Sequence, residues 1–161
     1  MIHMLGRYSP GILLPLVFLA FAGSSPAQQL PNDVSSRERT LLATSYTSER
    51  LWVWQKRLNL QDWNVSVLMS RASELKPKTL GNIHWDMDKK SAVIRVLDPS
   101  DYKLPFQEML RDMEFTVVHE LIHLNFAPVV SDLQRSDANR REEEHAVNHM
   151  ADALLKLERN Q

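Results

Sequence analysis

Cysteine is absent from all 161 residues of the chain. The domain must hold itself without disulfides, and no thiolate is on offer as a metal ligand. Blocks of Lys or Arg are lacking too: 19 basic residues stand against 20 acidic ones, for a formal charge of −1. Nucleic acid and anionic membrane surfaces therefore have no electrostatic claim as partners. There is no internal repeat and no low-complexity stretch, and the length suits one domain. The apolar run at residues 11–22 is about 12 residues long, against the roughly 20 needed to cross a bilayer, and it contains Pro15. A permanent transmembrane helix is disfavoured.

What stands around that run points to export. Arg7 and no acid precede it, and Ser25-Pro26-Ala27 puts small residues where a signal peptidase reads. Residues 1–27 resemble a secretory signal peptide cut after Ala27, leaving 28–161 as the working domain in a periplasm or outside the cell. Losing one base and no acid moves the formal charge from −1 to −2. After cleavage nothing in the chain calls for a membrane.

The chemistry is concentrated in His119-Glu120-Leu121-Ile122-His123. On a helix, positions four apart differ by only about 40°, so His119 and His123 project from one face, one turn apart. A single metal ion can take both. Glu120 lies about 60° further round, too far to share the metal comfortably but close enough to act as general base on a water beside it. A shuffled chain of this composition would contain the pattern about one to two times in a hundred, so its surroundings matter. Phe115, Val118, Leu121, Ile122 and Phe126 form an apolar stripe at helical spacing, which places the motif in a buried helix. Two core histidines with satisfied hydrogen bonds are the bland alternative.

Around the motif the pattern predicts an α+β domain. Residues 34–60 suit an amphipathic helix, residues 63–69 alternate as a half-buried strand, and residues 80–87 and 92–97 flank a turn-like segment as a hairpin. The motif helix is expected over residues 106–126, ended by Pro128, and a last helix over 141–159. The sheet is expected to be small, three-stranded and mostly antiparallel. Trp52, Trp54, Trp63 and Trp85 read as core and sheet packing.

A hydrolytic zinc site needs a third protein ligand. The pattern in which a third His follows the second by six residues fails, because that position is Val129. The last helix offers Glu142, Glu143 and Glu144, together with a second His pair, His145 and His149. Acids at a helix start are also favoured by the helix dipole alone, which accounts for Glu142. Glu143 lies nearer the centre of the apolar arc of Val147, Met150 and Leu154. The two histidines face away from that arc and read as exposed, although such a pair could hold metal or supply the third ligand.

Glu144 followed by Asn148, with Ala151 and Leu155 continuing the stripe, resembles the second active-site helix of the gluzincin class of zinc metallopeptidases, especially its small bacterial members. The resemblance covers residues 60–160 in layout and is specific only in the two helix motifs. It implies a minimal zincin-like catalytic domain in which Zn²⁺ is held by His119, His123 and Glu144, Asn148 orients a ligand histidine, and Glu120 is the base. The substrate would be a peptide or protein, paired to an edge strand beside the active-site helix, with residues 92–97 as the candidate strand. Larger gluzincins steady the oxyanion from a later subdomain. Here Tyr46, Tyr102 and His84 are the local candidates, and the connection 127–140 could form a lid.

Overall fold

Ser35 opens the first helix by a reciprocal cap: its hydroxyl accepts from the Glu38 backbone N–H at 3.3 Å, and the Glu38 carboxylate accepts from the Ser35 N–H at 3.0 Å. In this computed structural model, which describes residues 35–130 and 136–160, α1 then runs over Ser36–Arg57. The proposed leader, residues 1–27, lies outside the described residues. Ala43, Thr47, Leu51 and Trp54 recur at helical spacing and form the buried face of α1. Asn59, at φ 55°, takes the left-handed conformation that turns the chain toward the sheet.

The strands are β1 (Asn64–Ser70), β2 (Gly81–Asp86) and β3 (Ser91–Leu97), with a short 3-10 turn at Ala72–Glu74. β2 and β3 form the expected hairpin, antiparallel with Ile83 opposite Ile94. The sheet as a whole is mixed, because β1 pairs parallel to β3, Val67 opposite Ile94, in the order β1-β3-β2. The expectation of a mostly antiparallel sheet is thus corrected, and so is the choice of residues 92–97 as an edge. Ala92, Ile94 and Val96 are buried at the centre with partners on both sides. They alternate with the half-buried Val93 and Arg95, so one face of β3 packs into the core.

α2 (Phe106–Val130) lies across β2 and β3 and also packs against α1 and α3, so it forms the spine of the core. Met109, Met113, Val117, Val118, Leu121 and Leu124 are almost wholly buried along it. The helix does not stop before Pro128 but continues two residues past it. Proline carries no N–H to donate to the preceding turn, yet its fixed φ is helical, so the loss at a helix end is one hydrogen bond. α3 (Asp137–Glu158) starts four residues earlier than expected, where Ser136 caps the Asn139 N–H at 3.1 Å. Most of the supposed 127–140 connection is therefore helical, and residues 131–135 lie outside the described residues. Among the described residues no helix is long and apolar enough to cross a membrane.

A buried acid ties the three helices together. Glu114 of α2 accepts from Arg50 Nε at 2.6 Å, Trp54 Nε1 at 2.9 Å, Tyr46 Oη at 2.9 Å and an Arg159 guanidinium nitrogen at 3.1 Å. Burial pushes its pKa up. The hydrogen bonds from Trp54, Tyr46 and Arg159, with the charge of Arg50, outweigh that and hold it below the ordinary glutamate value. Tyr46, Arg50 and Trp54 recur every fourth residue on α1, so one helical stripe supplies three of the four donors.

Candidate metal centre

The motif lies where α2 meets both β2 and α3. Its two histidines converge: His119 Nε2 and His123 Nε2 are 3.1 Å apart. Glu144, on α3, brings one carboxylate oxygen to 3.4 Å from the first nitrogen and the other to 3.5 Å from the second. Two donors bonded at 2.0–2.1 Å to one ion stand about 2.9 Å apart at a right angle and about 3.4 Å apart at the tetrahedral angle. The observed spacings fall in or next to that interval. The donor set, two imidazoles and a carboxylate, suits zinc and other borderline divalent cations and offers nothing to a soft, thiolate-seeking metal.

The second nitrogen of His123 is engaged from the far side. Glu143 Oε1 lies 2.9 Å from Nδ1, and a carboxylate can only accept there, so Nδ1 carries the proton and Nε2 keeps its lone pair. That is the tautomer a metal ligand needs. Burial holds the pKa of His119 below the ordinary histidine value, with the charge of His123 acting the same way. Glu144 and a hydrogen bond in which Asn148 accepts from the ring pull it back up. The Nδ1 of His119 itself is buried with no hydrogen-bond partner.

Glu120 is 7% exposed, and its carboxylate belongs to a group of donors that lie within 4.8 Å of one another with the two histidines. Burial, aided by the charge of Glu144, pushes its pKa up to about 8. Glu144, by contrast, has 56% of its side chain exposed, so the donor triangle is open on that side. The opening continues into a cleft of about 480 Å³. β2 contributes Gly81, Ile83 and Trp85 to its wall, α2 contributes Phe115 and Thr116, and Lys76, Lys78 and Arg140 also line it.

The structure thus brings His119, Glu120, His123, Glu144 and Asn148 to one place and adds Glu143 on the reverse of His123. Glu142, Glu143 and Glu144 sit in the second turn of α3, beyond the first turn where the helix dipole favours acids, so the dipole does not account for them. The oxyanion candidates are elsewhere. Tyr46 is hydrogen-bonded to Glu114, Tyr102 is half-buried beside Asp112, and His84 is exposed on the sheet face opposite Gly81 and α2. Of the four tryptophans, Trp54 and Trp63 are core, Trp85 lines the cleft, and Trp52 is 67% exposed.

Sequence reasoning passed over Glu114 and the close approach at Gly81. The first was signalled by the Tyr46, Arg50, Trp54 stripe. The second was signalled by a glycine beginning a strand that otherwise carries Ile83 and Trp85. Comparison with family models, with curated proteins and with solved structures found no match to this chain in any of the three.

Proposed function

We propose that this chain is an exported zinc-dependent peptidase of the gluzincin kind with a minimal zincin-like domain. The observation that carries the reading is the triangle of His119, His123 and Glu144 donors with the buried Glu120 carboxylate beside it. Zn²⁺ held there would polarise a scissile carbonyl and make a water in the cleft more acidic. The protein residues do the rest. Glu143 holds the His123 imidazole in orientation through its Nδ1–H, which fixes the direction of that ring's lone pair, and Asn148 stands against the His119 ring. Glu120 accepts a proton from the attacking water and returns it to the departing amine nitrogen.

An extended substrate would pair with β2, which among the described residues has a strand partner on one side only and lines the cleft. Lys76, Lys78 and Arg140 have no ion-pair partner among the described residues, and they favour a segment carrying acidic side chains. The test is Glu120→Gln: cleavage of a peptide library should vanish while bound zinc remains, and retained cleavage rejects the assignment of the base.

One observation favours a second reading, a zinc-stabilised binding protein without hydrolysis. None of Tyr46, Tyr102 and His84 reaches the cleft, and a missing oxyanion donor commonly costs about 10²- to 10³-fold in turnover. On that reading no peptide is cut by the unaltered chain, and Glu120→Gln leaves partner binding unchanged.

A further inference from the structure

His145 and His149 repeat, on the outside of α3, the geometry of the motif histidines. Their Nε2 atoms are 3.1 Å apart, the same separation as between His119 and His123, and their rings meet edge to face with centroids 4.3 Å apart. Both side chains are exposed. Water could satisfy each ring separately, so burial does not impose the convergence.

Their spacing again falls between the right-angle and tetrahedral separations of two nitrogens on one ion. Each follows a residue of the first cluster, Glu144 or Asn148, by one position, so the pair stands about 100° further round the helix. It cannot share the ion of the first cluster. Glu142, one turn before His145, and Asp152, one turn after His149, lie on the same face and place carboxylates beside the pair.

We propose that His145 and His149 form a second, exposed site for a borderline divalent cation such as Zn²⁺, Ni²⁺ or Cu²⁺. Two neutral imidazoles supply the fixed ligands, and water or the flanking carboxylates complete the shell. Asp152 is held by Lys156 at 2.6 Å, so Glu142 is the readier third donor. The bound ion would clip together the two turns of α3 that also carry Glu144 and Asn148. The site needs no hydrolytic activity and stands or falls separately from the proposed function.

The test is equilibrium dialysis of the full chain against Zn²⁺ in molar excess, with bound metal measured by elemental analysis. The variants are His119→Ala/His123→Ala, His145→Ala/His149→Ala, and all four together. The first double variant should keep one equivalent, the second should bind one fewer than the unaltered chain, and the fourfold variant should lose both. In the first double variant, Cu²⁺ should show electron-spin coupling to two nitrogens, and that coupling should disappear in the fourfold variant. If His145→Ala/His149→Ala binds as much metal as the unaltered chain, the proposal is overturned. His145→Gln/His149→Gln, which preserves polarity on an exposed helix face, repeats the comparison should the alanine pair disturb α3.

Discussion

Glu143 accepts a hydrogen bond from the Nδ1–H of His123 at 2.9 Å, from the neighbouring helix. The next residue, Glu144, reaches the opposite edge of the same ring, 3.5 Å from Nε2. Consecutive acids thus divide the two nitrogens of one imidazole, one fixing its proton and the other sharing its lone-pair side. Glu143→Ala should leave the helices intact by circular dichroism and weaken zinc affinity about 10- to 100-fold, the usual cost of removing a partner that orients a ligand. Glu143→Gln, which can still accept through its amide oxygen, should recover part of the loss. Unchanged affinity in Glu143→Ala would show that the hydrogen bond does not orient the ligand.

The Glu114 cluster predicts an acid limb in the stability curve. Its folded pKa lies below the ordinary value of about 4.5. Its contribution is therefore fully present above that pH and is lost as pH falls through the depressed folded value. Glu114→Ala should destabilise by about 3–5 kcal/mol, because Arg50 and Arg159 lose a buried partner. Urea denaturation at several pH values checks both points. Glu114→Gln should flatten the acid limb, and an unchanged limb would mean that other carboxylates produce it.

Gly81 is where β2 and α2 touch. A Cβ added there would lie 2.4 Å from Thr116 Cγ2 and 2.6 Å from the Arg95 carbonyl oxygen. The second contact is backbone and cannot swing away. Gly81→Ala should cost about 1–3 kcal/mol by overpacking. The paired change Gly81→Ala/Thr116→Ser removes the first clash and should recover only part of the loss, because the carbonyl contact remains. Equal stability of Gly81→Ala and the unaltered chain in chemical denaturation would contradict this packing.

Charge at the cleft predicts a substrate preference. Peptides with acidic residues beside the scissile bond should bind Glu120→Gln more tightly than their lysine-bearing counterparts, by a margin that shrinks as salt is added. Lys76→Glu/Lys78→Glu should reverse the order. Fluorescence anisotropy of labelled peptides reads the effect, and salt-independent, equal binding of both classes would rule it out.

Much of this could be read from the sequence because it rests on periodicity. The His119/His123 face, the three strands and the hairpin are local patterns, and the two histidines do meet; Glu144 and Asn148 were singled out by the resemblance of their helix to a known ligand helix, not by periodicity. Other features depend on what lies across space. Whether residues 92–97 are a centre or an edge turns on where β1 docks, and nothing between the strands announces a parallel pairing. The start of α3 lay behind Ser136, a cap without the Glu three residues on that makes such a start conspicuous. Glu114 looked like a stray acid in an apolar helix until its four donors, three from α1 and one from the end of α3, could be seen together.

The account turns on His119, His123 and Glu144 sharing one divalent ion. The most direct measurement is a zinc-soaked crystal of the chain recorded at the zinc absorption edge. The account predicts an anomalous peak within about 2.0–2.2 Å of His119 Nε2, His123 Nε2 and a Glu144 carboxylate oxygen, with Glu143 still on Nδ1 of His123. No peak among those three side chains, with zinc present in the crystal, would contradict it.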